Sequence, residues 1–223
     1  MASQKGTRDA ADEQSTLKNE SVSEIQFPGN LANLLVDLLS VDGISAETFL
    51  QIDQFDKTKL DDANAMHTSQ EYIALIRRAL ELTNDTTLGL RLGVMINVAT
   101  YADLGVFAMT APTIVDAFRE SEPFIYQQFP FMVLEILPES DAFRVRFIEQ
   151  TSSMFDTFKL DMVMSCINAI AKFLCGGEFP LREVHYQFDA PACTEAHVEA
   201  FGCPIVWNMK YHQLVYEPEQ ANW

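Results

Sequence analysis

Residues 156–174, DTFKLDMVMSCINAIAKFL, constrain the fold more than any other stretch of this chain. Phe158, Met162, Val163, Cys166, Ile167, Ala169, Ile170, Phe173 and Leu174 recur at helical spacing. The polar residues Asp161, Ser165, Asn168 and Lys172 follow at steps of four, three and four, which places them on one stripe of a single helix. Most of the remaining circumference is apolar, so other elements must cover it. Gly176-Gly177 ends the helix. The spacing leaves two roles open for the polar stripe: it orients a polar ligand group, or it faces water.

Just before this helix the period changes to two. Phe131–Leu137 and Phe143–Ile148 flank Pro138-Glu139-Ser140-Asp141, which predicts a β-hairpin. With those four residues as the loop, Leu137 pairs with Ala142 and Glu135 falls opposite Arg144. Met132, Leu134 and Ile136 then share one face with Phe143, Val145 and Phe147.

The first half of the chain reads as helices. Leu31, Leu34, Leu35, Leu38 and Leu39 mark one, ended by Asp42-Gly43, and Ser45 caps a short second one. Thr68 or Ser69 caps a third, carrying Tyr72, Leu75, Ile76 and Ala79 and broken at Asn84-Asp85. Pro112-Thr113 opens a fourth, running to about Tyr126, with Pro112 in its first turn and Pro123 set to kink or shorten it. After the long helix, short strands are predicted at Val184–Phe188, Ile205–Asn208 and His212–Tyr216. The expected class is α+β: a helical N-terminal half, a β-hairpin, a long buried helix and further short strands in an antiparallel or mixed sheet.

The chain has 223 residues, 48% hydrophobic and 11% aromatic, enough for one sizeable core. Fifteen Lys and Arg against 32 Asp and Glu give a formal net charge of −17. Such a chain repels phosphate backbones and anionic membrane surfaces. Residues 1–26 read as a flexible polar tail without an apolar signal-peptide core, and residues 27–218 as the ordered unit. Residues 219–223 read as the start of a linker or a cut end. Cys166, Cys175, Cys193 and Cys203 form no CxxC pair and are expected to be reduced thiols.

The residues offer no catalytic constellation and no cofactor motif. Neither a phosphate-cradling glycine loop nor a nucleophile elbow is present. His67, His185, His197 and His212 are scattered, no pair has metal-ligand spacing, and none stands out as an axial haem ligand. Asp53, Asp56, Asp61 and Asp62 lack the glycine and spaced glutamate of a calcium loop. What remains is a gathering of Met and Phe in the second half, which suits a core or an adaptable apolar pocket.

Four stretches in order carry a resemblance: TTLGLRLG at 86–93, DLGVFAMTAPTIVDAF at 103–118, VHYQFDAPA at 184–192 and EAFGCPIVWNMKYHQLVYEP at 199–218. Together they are similar to the N-terminal effector-binding, "arabinose-binding"-type domain of AraC/XylS transcription regulators. The resemblance gives Leu-Gly and Ala-Pro-Thr a structural role, with Gly105 providing a close approach or a positive φ and Gly202-Cys203-Pro204 a turn into a strand. In that family a helix-turn-helix domain follows and binds DNA. This chain ends at Trp223, so DNA is expected to be reached only through such a domain.

The resemblance implies a cytoplasmic, non-enzymatic sensor that dimerises, and the apolar and aromatic enrichment argues against a sugar-only pocket and for a small, partly apolar metabolite. Residues 27–218 would form its effector-binding and dimerisation domain. Phe131, Phe158, Met162 and Cys166 are expected as pocket wall, with Asn168 and Tyr186 as polar contacts. The alternative is a stand-alone interaction domain that sequesters full-length regulators without a small ligand. No cofactor and no metal are expected.

Overall fold

The computed structural model describes residues 26–53, 55–62, 65–96, 110–150 and 155–223. Gly105 lies outside them. By contacts the chain divides into two compact units, Met1–Leu82 and Thr83–Trp223.

In the first unit, strand β1 (Gln26–Pro28) pairs antiparallel with β2 (Met66–Thr68). Helix α1 (Asn30–Val41) buries Leu31, Leu35, Leu38 and Leu39 of the stripe its spacing predicts, and Leu34 is half-buried at its margin. Helix α2 (Ala46–Phe49) starts where Ser45 Oγ accepts the Thr48 N–H at 3.2 Å. A 3₁₀ turn spans Lys57–Asp61. Helix α3 (Ser69–Thr83) opens on a reciprocal cap: Thr68 N–H donates to the Glu71 carboxylate at 2.8 Å, and Glu71 N–H donates to Thr68 Oγ1. Lys59 Nζ also donates to Glu71 at 2.7 Å.

The second unit is built on a five-stranded sheet in the order β3-β4-β7-β5-β6. The strands are β3 (Met132–Pro138), β4 (Phe143–Glu149), β5 (Glu183–His185), β6 (Ile205–Val206) and β7 (His212–Tyr216). All pairings are antiparallel except β5 with β6, so the sheet is mixed, and the α+β class holds. Central β7 is buried along its whole length. The helices are α4 (Leu88–Met95), α5 (Ile114–Gln128), α6 (Asp156–Leu174) and α7 (Glu195–Phe201).

The hairpin faces are as expected, but the register is shifted by two. Glu135 pairs with Arg146 and Leu137 with Arg144, leaving Glu139–Ala142 as the loop. Pro138 belongs to β3, opposite Phe143, because β3 is an edge strand where proline forfeits no needed ladder bond. The shift gives both arginines carboxylate partners. Arg146 meets Glu135 at 2.8 Å, and Arg144 reaches Asp141 at 2.7 Å and also Glu139.

Helix α5 starts one turn position later than expected. Thr113 is its N-cap, accepting the Asp116 N–H at 3.1 Å, so Pro112 precedes the first turn. Pro123 is accommodated inside the helix, which runs on to Gln128. Gly202 caps α7 with φ +71°, a left-handed turn leading into β6.

Helix α6 spans the expected residues and packs against α4, α7 and β7. The closest approach is to α4, across Gly89 and Gly93. A Cβ on Gly89 would lie 2.4 Å from the Phe158 carbonyl oxygen, and one on Gly93 would lie 1.9 Å from Ser165 Oγ. Two glycines four apart thus let the backbone of α4 rest on α6. The Ser165 hydroxyl joins the two helices, 2.7 Å from the Asp161 carbonyl and 3.1 Å from the Leu90 carbonyl of α4. No described helix is long and apolar enough to cross a membrane.

Candidate functional site

The polar stripe of α6 faces inward. Asp161 is completely buried, and Ser165 and Asn168 are 2% and 3% exposed. The close α4 contact shuts one side of this stripe. The other side meets the residue after β5 and helix α7, which place two side chains on the Asp161 carboxylate. Tyr186 donates its hydroxyl to Asp161 Oδ1 at 2.7 Å. His197 Nε2 stands 3.4 Å from the same oxygen, outside hydrogen-bond alignment. Asp161 Oδ2, Asn168 Oδ1 and both ring nitrogens of His197 are buried without a hydrogen-bond partner among the described residues. Buried polar atoms in that state are uncommon and costly, and sites that receive a ligand are one place they persist.

Aromatic rings enclose the group. Tyr186 is fully buried and stacks on Trp207 with centroids 4.8 Å apart and planes at 22°. His197 meets the Trp207 ring edge-on at 5.1 Å, and His212 lies 6.0 Å from Tyr186 and 4.7 Å from Phe188. Burial and the neighbouring Asp161 carboxylate push the Tyr186 phenol well above its ordinary value, so it stays a neutral donor.

A chain with this fold and an interior polar stripe now meets its relatives. The arabinose-binding domain of AraC transcription regulators, an N-terminal domain, matches residues 43–223. The chain belongs to this family. Among solved structures, the AraC-type domain is similar to the transcriptional regulator CdpR from Pseudomonas aeruginosa, with a TM-score of 0.65 at 15% identity. The match covers 90% of this chain and 58% of that regulator, so the chain spans little more than half of CdpR's length. No curated protein matches it.

Within this AraC-type domain, the expected site residues fall into three places. Tyr186 stands on Asp161, and Asn168 is buried on the same stripe of α6 two turns further on. Phe158, Met162 and Cys166 share the neighbouring stripe of α6, all buried, and the backbone of that stripe lies against Gly89 and Gly93 of α4. Phe131 immediately precedes β3, its ring 4.9 Å from Lys159 Nζ. His197, one of four scattered histidines in the sequence, reaches Asp161 only through the tertiary fold, and Trp207 joins them by packing on Tyr186 and His197. All four cysteines are free. Burial pushes the Cys166 thiol up to about 12 and the Cys203 thiol up to about 11, which makes both poor nucleophiles.

His212 gives a pH prediction. Its Nδ1 accepts the Gln187 N–H at 3.1 Å, which requires the neutral ring, and burial lowers its pKa from 6.5 to about 4. In the unfolded chain the ring protonates near 6.5; in the folded chain it does not. Stability should therefore fall as pH drops from 6.5 toward 4, by up to about 3 kcal/mol. The stabilised carboxylates, whose pKa values are lowered from 3.8 or 4.5, enter only at the acid end of this window, and His67, also lowered from 6.5 by burial, adds to the slope with the same sign. Urea melts across the window check this, and His212→Asn, which keeps an acceptor that cannot be protonated, should flatten the slope.

Proposed function

We propose that this domain senses a small molecule at the polar face of α6 and relays its occupancy to an attached DNA-binding domain. The observation that carries the reading is the buried Asp161 with Tyr186 and His197 against it, and Asn168 two turns further along the same face of α6, whose unmatched polar atoms turn inward in a family of regulators. Phe158, Met162 and Cys166 form the apolar wall beside it, and Phe131 lies at the far margin. An effector that binds one arrangement of α4, α6 and α7 better than another shifts the population toward it. The action is binding, with no chemical step, and its setting is the cytoplasm. Homodimerisation is part of the reading and is checked by sedimentation at micromolar concentration.

Thermal melts against small metabolites test the site. A ligand at a hundredfold excess over its Kd adds about 2.7 kcal/mol to stability and raises the Tm accordingly. Asp161→Asn and Asn168→Leu should each remove that rise. A rise that survives both substitutions places the ligand elsewhere and overturns the site.

A further inference from the structure

We infer that the ligand of this domain carries a positively charged nitrogen, with Asp161 as its counter-ion and the Tyr186–Trp207 ring pair as its wall. This rests on the sensing reading above and names its ligand class. Asp161 is the buried carboxylate of the site, and one of its oxygens, Oδ2, has no donor among the described residues. A buried carboxylate demands a cation or strong donors, because an uncompensated charge in a low-dielectric interior is expensive.

The described groups of the chain leave that demand unmet. Tyr186 offers one neutral donor to Oδ1. His197 stands near the same oxygen but is misaligned for a hydrogen bond. Lys159, the buried cation on α6, pairs with Asp156 at 2.8 Å and lies over Phe131. An ammonium or amidinium group satisfies Oδ2 and also donates to a His197 nitrogen. An anionic ligand would set a second negative charge beside a buried carboxylate. The net charge of −17 draws cations toward the whole molecule and repels anions. Trp207 is half-buried and covers the fully buried Tyr186, so it is the side chain that must swing aside to admit the ligand.

Three probes with matched tails test the class: n-butylammonium, n-butanol and butyrate. Each is titrated into the isotope-labelled chain, and the Trp207 indole N–H signal is followed, assigned with Trp223→Phe. A saturable shift with butylammonium alone is expected. Asp161→Asn, which keeps the shape and an acceptor for Tyr186, should weaken it about tenfold or more. An equal or stronger response to butanol or butyrate leaves the sensing site standing and overturns the cationic class. Silence with all three probes overturns both. If Asp161→Asn does not fold, the His197 ring nitrogens of the wild-type chain decide. A neutral ring at pH 7 supports the inference, whereas a doubly protonated ring means that Asp161 already has its cation and sinks it.

Discussion

Gly93→Ala should destabilise the second unit by about 2–3 kcal/mol, although alanine favours a helix more than glycine does by about 1 kcal/mol. The added methyl would lie 1.9 Å from Ser165 Oγ, 2.2 Å from the Met162 carbonyl oxygen and 3.0 Å from the Cys166 nitrogen. Ser165 could rotate, but only by giving up its link to the Leu90 carbonyl. The Met162 and Cys166 atoms are backbone inside a long helix and cannot move alone. Helices α4 and α6 must therefore part, opening the seam that closes the Asp161 stripe. Urea melts of Gly93→Ala beside Val94→Ala, a neighbour that is 54% exposed, make the comparison. A loss below about 0.5 kcal/mol at Gly93 would show that the seam is looser than described.

The second large effect concerns Tyr186. Tyr186→Ala removes a fully buried ring and its stack on Trp207, and should cost about 3–5 kcal/mol. Tyr186→Phe is the sharper experiment. It keeps the ring and deletes the hydrogen bond to the Asp161 carboxylate, leaving, among the described residues, a buried charge with a misaligned imidazole beside it. The expected cost is about 1–3 kcal/mol. Asp161→Asn in the same background should recover part of it, since an amide is cheaper to bury than a carboxylate. A double-mutant cycle that returns no coupling would mean that Asp161 and Tyr186 do not act as a pair.

These two sites mark how far the sequence could be read. The long helix and the α1 stripe follow directly from spacing, because each has a strong period and a clear stop, whereas β7 follows from its short β-rich run alone, since it is buried on both faces. The hairpin faces follow too, but its register did not. Two loops of equal length were compatible with the pattern, and the choice turned on an edge strand tolerating Pro138. Helix α4 escaped because Leu88, Leu90 and Leu92 alternate with two glycines and an arginine, so its glycine seam reads as no periodic face. That seam decides the open question about Asp161, Ser165 and Asn168: the stripe faces the interior because α4 can approach so closely. The site was half legible for the same reason. Asn168 and Tyr186 could be picked out, whereas His197 reaches Asp161, and Trp207 packs on Tyr186 and His197, only through the packing of α7 and of the segment after β6.

The most direct measurement of the account is native mass spectrometry of the chain after incubation with a small-molecule extract, beside its denatured mass. The sensing reading predicts a discrete excess mass that is released on denaturation and is absent from Asn168→Leu. A wild-type chain that stays at its bare mass throughout, or an Asn168→Leu chain that carries the same excess, would contradict it.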